Sequence, residues 1–368
     1  MDGNALVLCE GAFGTLNGKT AHGLVRFTTR YKILGVIDST LAGHDAGEVL
    51  DGKPCGIFIY ASLAAALQAN RKAIQYFVIG LAPEAGKLPP SYRQIIAEAI
   101  RAGLNIDSGL HEFLSDDAEF NALAKKHGVR LRDIRKPPAK KDLHFFSGKI
   151  KDVDSIRLAV LGTDSAIGKR TTAWQITHAL NAIGVKTEMI GTGQTAWLQG
   201  AKYGIRLDAM INDYVTGEIE HVIWQCWQDE TPQVMLLEGQ GSLMHPAYPG
   251  GFELIAAGRP QAIILQTAPK RTAYDGFPDF PMAPLEKEIK ALELIANCPV
   301  IALTLNHENM NDEEIETTVR QYESQFGIPC CDVLKHGPAK VVDKTYDYFS
   351  NRPLPHRLQI KKFFYHRL

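Results

Sequence analysis

Gly162-Thr163-Asp164-Ser165-Ala166-Ile167-Gly168-Lys169 decides the fold of the carboxyl-terminal part of this chain. The apolar run Arg157-Leu158-Ala159-Val160-Leu161 leads into it, and residues 169–182 read as a helix. A strand, a glycine-rich turn and a helix opening at a lysine aim several backbone N–H groups into one concavity at the positive end of a helix. Such a cradle binds phosphate oxygens. Gly168 lets the backbone approach closely, and Lys169 supplies a point charge.

The loop departs from the commonest pattern at two places. Thr163 stands where a glycine is usual and Arg170 where a hydroxyl is usual, with Gly162 one residue earlier and Thr171 one residue later. In magnesium-dependent nucleotide hydrolases the hydroxyl after the lysine ligates the metal. Its replacement predicts phosphate binding more firmly than hydrolysis, and the diphosphate of coenzyme A would suit the cradle without that ligand. The expected cofactor-binding set is Gly162, Thr163, Asp164, Ser165, Ala166, Ile167, Gly168, Lys169, Arg170 and Thr171. The spacing also resembles the variant loop of the dethiobiotin synthetase group.

Outward from the loop, apolar runs at 185–190, 233–237, 261–266 and 299–305 read as strands, with helices at 214–228, 285–296 and 312–326. That alternation predicts a P-loop NTPase-like, doubly wound parallel sheet. The first part repeats the pattern, with strands at 5–9, 33–37, 56–60 and 76–80. Helices are predicted from near Lys19, over 62–72 and over 91–102, so a Rossmann-like α/β domain is expected. Paired prolines and four basic residues within 134–142 interrupt both periods. The predicted organisation is a domain over 1–137, a linker over 138–155 and a second domain over 156–368.

In an open parallel sheet, ligands lie beyond the carboxyl ends of the strands. The strand at 233–237 ends in Glu238-Gly239-Gln240-Gly241-Ser242, with His245 close behind, so Glu238 and His245 are the catalytic candidates. A carboxylate capping the next turn and an ordinary surface histidine are the plainer alternatives. Candidate substrate contacts are Gly193, Gln194, Gly239, Gln240, Gly241 and Ser242, with Lys270 and Arg271 as holders of a carboxylate. Asn306 is a further crevice candidate. Glu10-Gly11-x-x-Gly14 with Asp38 is a weak match to a dinucleotide site, because the full glycine pattern is missing.

Composition narrows the partner. Lys and Arg total 40 against 41 acidic residues, which predicts neither nucleic-acid nor membrane binding and favours a small molecule. The six cysteines lack C-x-x-C spacing, so no metal site is expected and the thiols read as reduced. Without a basic leader or an apolar run of roughly 20 residues, the sequence predicts a cytoplasmic protein.

Val36-Ile37-Asp38-Ser39, the loop from Gly162 through Thr172, and Glu238-Gly239-Gln240-Gly241-Ser242-Leu243 with His245-Pro246 together resemble a family catalogued as a domain of unknown function. In it a Rossmann-like domain precedes a P-loop domain, and Arg170-Thr171-Thr172 is the family's own form of the loop. The resemblance spans nearly the whole chain. It implies D-glutamate N-acetyltransferase activity, the activity of a bacterial member, with acetyl-coenzyme A as co-substrate and an amino acid as acceptor. Two other readings stand beside it: an ATP- and magnesium-dependent ligase or kinase acting on a small carboxylate, and a non-catalytic nucleotide-binding switch. A homo-oligomer is the default expectation for such an enzyme.

Overall fold

The computed structural model describes residues 1–70, 73–82 and 88–350. They form two compact units, one made of 1–138 with 193–201, the other of 139–192 with the chain from 202 onward.

The first unit is a six-stranded parallel sheet of β1 (Gly3–Leu8), β2 (Tyr31–Ile37), β3 (Ile59–Tyr60), β4 (Tyr76–Ile79), β5 (Asn105–Ser108) and β6 (Leu131–Asp133). Their order, β3-β2-β1-β4-β5-β6, is the Rossmann order. Ala5, Leu6, Val7 and Leu8 are fully buried, as a central strand covered on both faces requires. Asp45 explains why the strand expected at 56–60 shrinks to two residues. Its carboxylate accepts the N–H groups of Cys55 at 2.9 Å and Gly56 at 2.7 Å, bending that segment into a turn. The helix expected over 62–72 runs Leu63–Ala69, and Lys72 lies outside the described residues. Asp38, the expected ribose-binding acid, is fully buried and accepts the N–H groups of Phe13 and Thr40, each at 2.9 Å. It therefore braces the loop after β1.

Residues 193–201, expected within the second domain, pack with this unit. Helix Gln194–Gln199 sets Trp197 against two guanidiniums, with Arg30 at 3.6 Å and Arg132 at 4.5 Å from the ring centroid. Gln199 Nε2 donates to the Gly23 carbonyl at 2.7 Å. Half-buried cation–π pairs of this kind stabilise a contact by about 1 kcal/mol.

The second unit holds β7 (Ile156–Gly162), β8 (Thr187–Gly191), β9 (Tyr203–Gly204), β10 (Val234–Glu238), β11 (Ala262–Thr267), β12 (Ala273–Tyr274), β13 (Phe277–Pro281), β14 (Val300–Leu305) and β15 (Cys330–Cys331). Seven strands form a parallel sheet ordered β15-β14-β11-β7-β10-β8-β9, while β12 and β13 make a separate antiparallel hairpin. The order puts β10 directly beside β7, with Glu238 paired to Val160 in register. Helices 169–182, 285–296 and 312–326 have the predicted bounds.

The expected linker is docked rather than free. The Ser147 N–H and hydroxyl donate to Glu220 Oε2 at 2.6 and 2.8 Å, the Ile150 N–H reaches Glu220 Oε1 at 3.1 Å, and Ile150 and Val153 join the second core. A fully buried glutamate on helix Asn212–Glu230 is thus satisfied by the incoming chain. Among the described residues, no helix is long and apolar enough to cross a membrane.

Candidate functional site

The phosphate loop has the backbone of a nest. Ala166 and Gly168 take left-handed conformations, with φ of 50° and 99°. Helix Lys169–Ala182 opens directly after them, with no side-chain cap on its first N–H groups. Gly162 is needed because a Cβ there would stand 2.8 Å from Lys169 Cδ and 2.9 Å from Ile167 Cδ1. Polar groups on and just beyond the flanking strands brace the loop. Asn306 Nδ2 donates to the Ile167 carbonyl at 3.0 Å, while Gln266 Oε1 accepts the Thr172 and Thr304 hydroxyls at 2.6 and 2.5 Å. Lys169 Nζ donates to the Asp164 main-chain carbonyl.

Asp164 is the electrostatic centre of the loop's outer side. Fully buried, it accepts the Ser165 N–H at 2.7 Å, the Asp275 N–H at 3.1 Å and Arg271 Nη1 at 2.7 Å. Arg271 reaches Glu308 Oε2 with its other nitrogens at 2.7 and 2.8 Å, and Lys270 pairs with Glu314 at 2.5 Å. Lys270 and Arg271, expected to hold a substrate carboxylate, are therefore engaged by carboxylates of the protein itself. Arg271 stabilises the loop, and Lys270 sits in an exposed ion pair.

Glu238 ends β10, buried beside the loop. Its Oε2 accepts the Thr192 N–H at 2.9 Å. Burial drives its pKa above the ordinary carboxylate value, against the pull of Arg170, the Thr192 N–H and Lys169. Gly239 must lack a side chain, since a Cβ would lie 2.6 Å from the Val160 carbonyl. Gly241 adopts φ of 61°, and a Cβ there would meet the Tyr248 carbonyl at 1.7 Å, so the loop folds tightly back on itself. Gln240 Oε1 and Ser242 Oγ are buried on this loop without a protein hydrogen-bond partner.

His245 is buried at 1% exposure, ringed by Tyr248, Tyr274 and Phe277. Its Nδ1 accepts the N–H groups of Ala247 and Tyr248, both at 3.1 Å. The neutral ring therefore carries its proton on Nε2, a tautomer assigned from these bonds. Nε2 lies 3.5 Å from Asp164 Oδ1. Burial lowers the His245 pKa despite the nearby Asp164 and Asp275. Protonation would add a hydrogen at Nδ1 and break both main-chain bonds, so the geometry makes His245 a donor rather than a proton acceptor.

The structure brings the loop, Glu238, Gly239 to Ser242, His245 and Arg271 together in the second unit. Gly193 and Gln194 fold in the first unit, where Gln194 Nε2 donates to Thr20 Oγ1 at 3.4 Å. Sequence reasoning missed Thr192, whose contribution is a main-chain N–H, and Asp275, on the hairpin turn. Polar Gln266 and Thr304, at the carboxyl ends of apolar strands, carried a legible signal.

Residues 144–342 match the P-loop domain, and residues 39–137 the Rossmann-like domain, of the domain of unknown function DUF1611. The chain belongs to the DUF1611 family. A DUF1611 family protein from Anabaena variabilis has a crystal structure that superposes with a TM-score of 0.86 at 28% identity, covering 94% of this chain and 99% of that one. A D-glutamate N-acetyltransferase of Tritonibacter scottomollicae is 32% identical over 82% of this chain and 89% of its own length. A second protein of that name, from a Pseudoalteromonas species, is 30% identical over 75% of this chain and 82% of its own length. These relatives support an acetyltransferase reading for this DUF1611 member.

Proposed function

We propose that the protein transfers the acetyl group of acetyl-coenzyme A to the amine of an amino acid, D-glutamate being the acceptor that the names of its relatives suggest. The observation that carries the reading is the placement of Glu238, a buried carboxylate with a raised pKa, on the strand next to a phosphate cradle.

The nest from Ala166 to Lys169, with Arg170 following, suits a diphosphate by charge and by its converging N–H groups. The acceptor amine arrives as an ammonium and must lose a proton before it attacks. Glu238 takes that proton; burial raises its pKa toward the amine's, while Arg170 and Lys169 pull toward the ionised form that can accept it. The amine nitrogen then bonds to the thioester carbonyl carbon, the carbon–sulfur bond breaks, and the sulfur leaves with the remaining proton. The Ser242 hydroxyl steadies the oxyanion, since the Gly239 and Ser242 N–H groups are already donated to the Val160 and Tyr248 carbonyls at 2.9 and 3.3 Å. General-base assistance of this kind is worth about 10²–10⁴-fold in rate.

The test is release of free thiol from acetyl-coenzyme A across a panel of D- and L-amino acids, with binding of acetyl-coenzyme A and of ATP with magnesium measured by calorimetry. Thiol release that depends on D-glutamate is expected. No release with any amino acid, together with tight binding of magnesium-ATP alone, would overturn the reading in favour of a ligase or kinase.

A further inference from the structure

The rim of the phosphate loop carries a carboxylate that neither phosphate binding nor proton transfer uses. Asp275 lies between β12 and β13, and its Oδ2 accepts the Ser165 hydroxyl at 2.7 Å. Its main-chain N–H bonds both Asp164 oxygens at 3.2 and 3.1 Å, so the turn is attached to the loop through backbone and side chain together. Ser165 immediately precedes the left-handed residue Ala166. Asp275 therefore stands at the outer lip of the anion cradle.

The two acids at this lip differ. The Asp164 charge is met by Arg271 at 2.7 Å, with His245 Nε2 facing it at 3.5 Å. The Asp275 side chain receives a neutral hydroxyl. An attachment alone does not call for a charge, since an amide oxygen would accept the same hydroxyl. A negative charge beside an anion site acts against each further anionic group brought to it, and partial burial makes that repulsion several-fold stronger than in bulk water. Binding sites often gain selectivity from such a repulsive element.

We propose that Asp275 is a specificity determinant, whose charge fits the cradle to a diphosphate and turns away a ligand that extends a third phosphate past Ser165. The proposal rests on the reading that the loop holds the diphosphate of acetyl-coenzyme A. It assigns this chain's preference between coenzyme A and a nucleoside triphosphate to one side chain on the hairpin turn.

The experiment is calorimetric titration of the full chain with ADP, ATP, pyrophosphate and tripolyphosphate, each with and without magnesium, for wild type, Asp275→Asn and Asp275→Ser. Asp275→Asn keeps an acceptor for Ser165 and removes only the charge. The triphosphate-to-diphosphate affinity ratio is expected to rise by about tenfold. Asp275→Ser, which is also uncharged, should raise it similarly and serves if the asparagine variant does not fold. An unchanged or lower ratio overturns the proposal. So does loss of magnesium-ATP binding on substitution, which would make Asp275 a metal ligand. Failure of wild type to bind acetyl-coenzyme A would count against the functional reading alone, because the ratio of tripolyphosphate to pyrophosphate still judges Asp275.

Discussion

Glu238 Oε2 accepts the main-chain N–H of Thr192 at 2.9 Å, a bond that favours the ionised carboxylate inside a pocket whose burial favours the neutral one. Burial wins, so the Glu238 pKa lies above the ordinary value. A base must be ionised to work, and acetyl transfer should therefore fall on acidification at a pH above the usual carboxylate range. Glu238→Gln preserves size and an acceptor oxygen but cannot take the proton. Its kcat is expected to drop about 10²–10⁴-fold, with loss of the acidic limb. Thiol release measured across pH checks both, and a variant with unchanged kcat and an unchanged limb would remove Glu238 from the mechanism.

His245 provides the contrasting case. With Nδ1 held by the Ala247 and Tyr248 N–H groups, an asparagine oxygen can replace that acceptor while Nε2 and its approach to Asp164 are lost. His245→Asn should fold and lower kcat by less than about tenfold, leaving the pH profile in place, because a general base would contribute more than that. A loss of kcat as deep as that of Glu238→Gln, with the acidic limb abolished, would restore His245 as the base.

Both candidates were visible in the sequence because a strand-to-loop junction announces itself through apolar periodicity ending in glycines. Periodicity also placed β7, β10, β11 and β14 within a residue or two. It failed where burial is achieved by pairing charges. In β5 and β6, Asp107 lies buried against Arg132 at 2.5 Å and accepts the Tyr31 hydroxyl at 2.5 Å, so these strands read as polar loop. Helix Gln194–Gln199 was missed because six residues are too few to show a helical period, and its anchoring partners Thr20, Gly23 and Arg30 lie far away in sequence. The roles of Arg271 and Asp275 depend on which carboxylate or hydroxyl each one meets. No local pattern encodes that.

Arg271 gives a stability prediction. Asp164 is fully buried, and Arg271→Ala would leave its carboxylate without the guanidinium 2.7 Å away. Breaking one side of a buried pair costs about 3–5 kcal/mol. Urea unfolding should show a loss of that order. Asp164→Asn placed in the same background should recover part of it, because the amide oxygen still accepts the Ser165 and Asp275 N–H groups without an unpaired charge. A loss below about 1 kcal/mol for Arg271→Ala would show that the pair is effectively solvated.

Glu288 should set a pH dependence of stability separate from catalysis. It lies on helix Leu285–Ala296 at 2% exposure, its Oε1 has no protein hydrogen-bond partner, and burial pushes its carboxyl from 4.5 up to about 7. The folded state thus keeps a proton that the unfolded chain releases near 4.5, so stability falls as pH rises through the window up to about 7 and stays lower above it. At about 1.4 kcal/mol per pH unit, the full effect is bounded by roughly 3 kcal/mol. Glu288→Gln has no proton to lose. Relative to wild type it should gain about 1–3 kcal/mol between roughly pH 4 and pH 8, read from urea midpoints across that range. A difference between the two proteins that does not change with pH would mean that the Glu288 carboxylate ionises in the folded chain without cost, through local opening of the helix toward solvent.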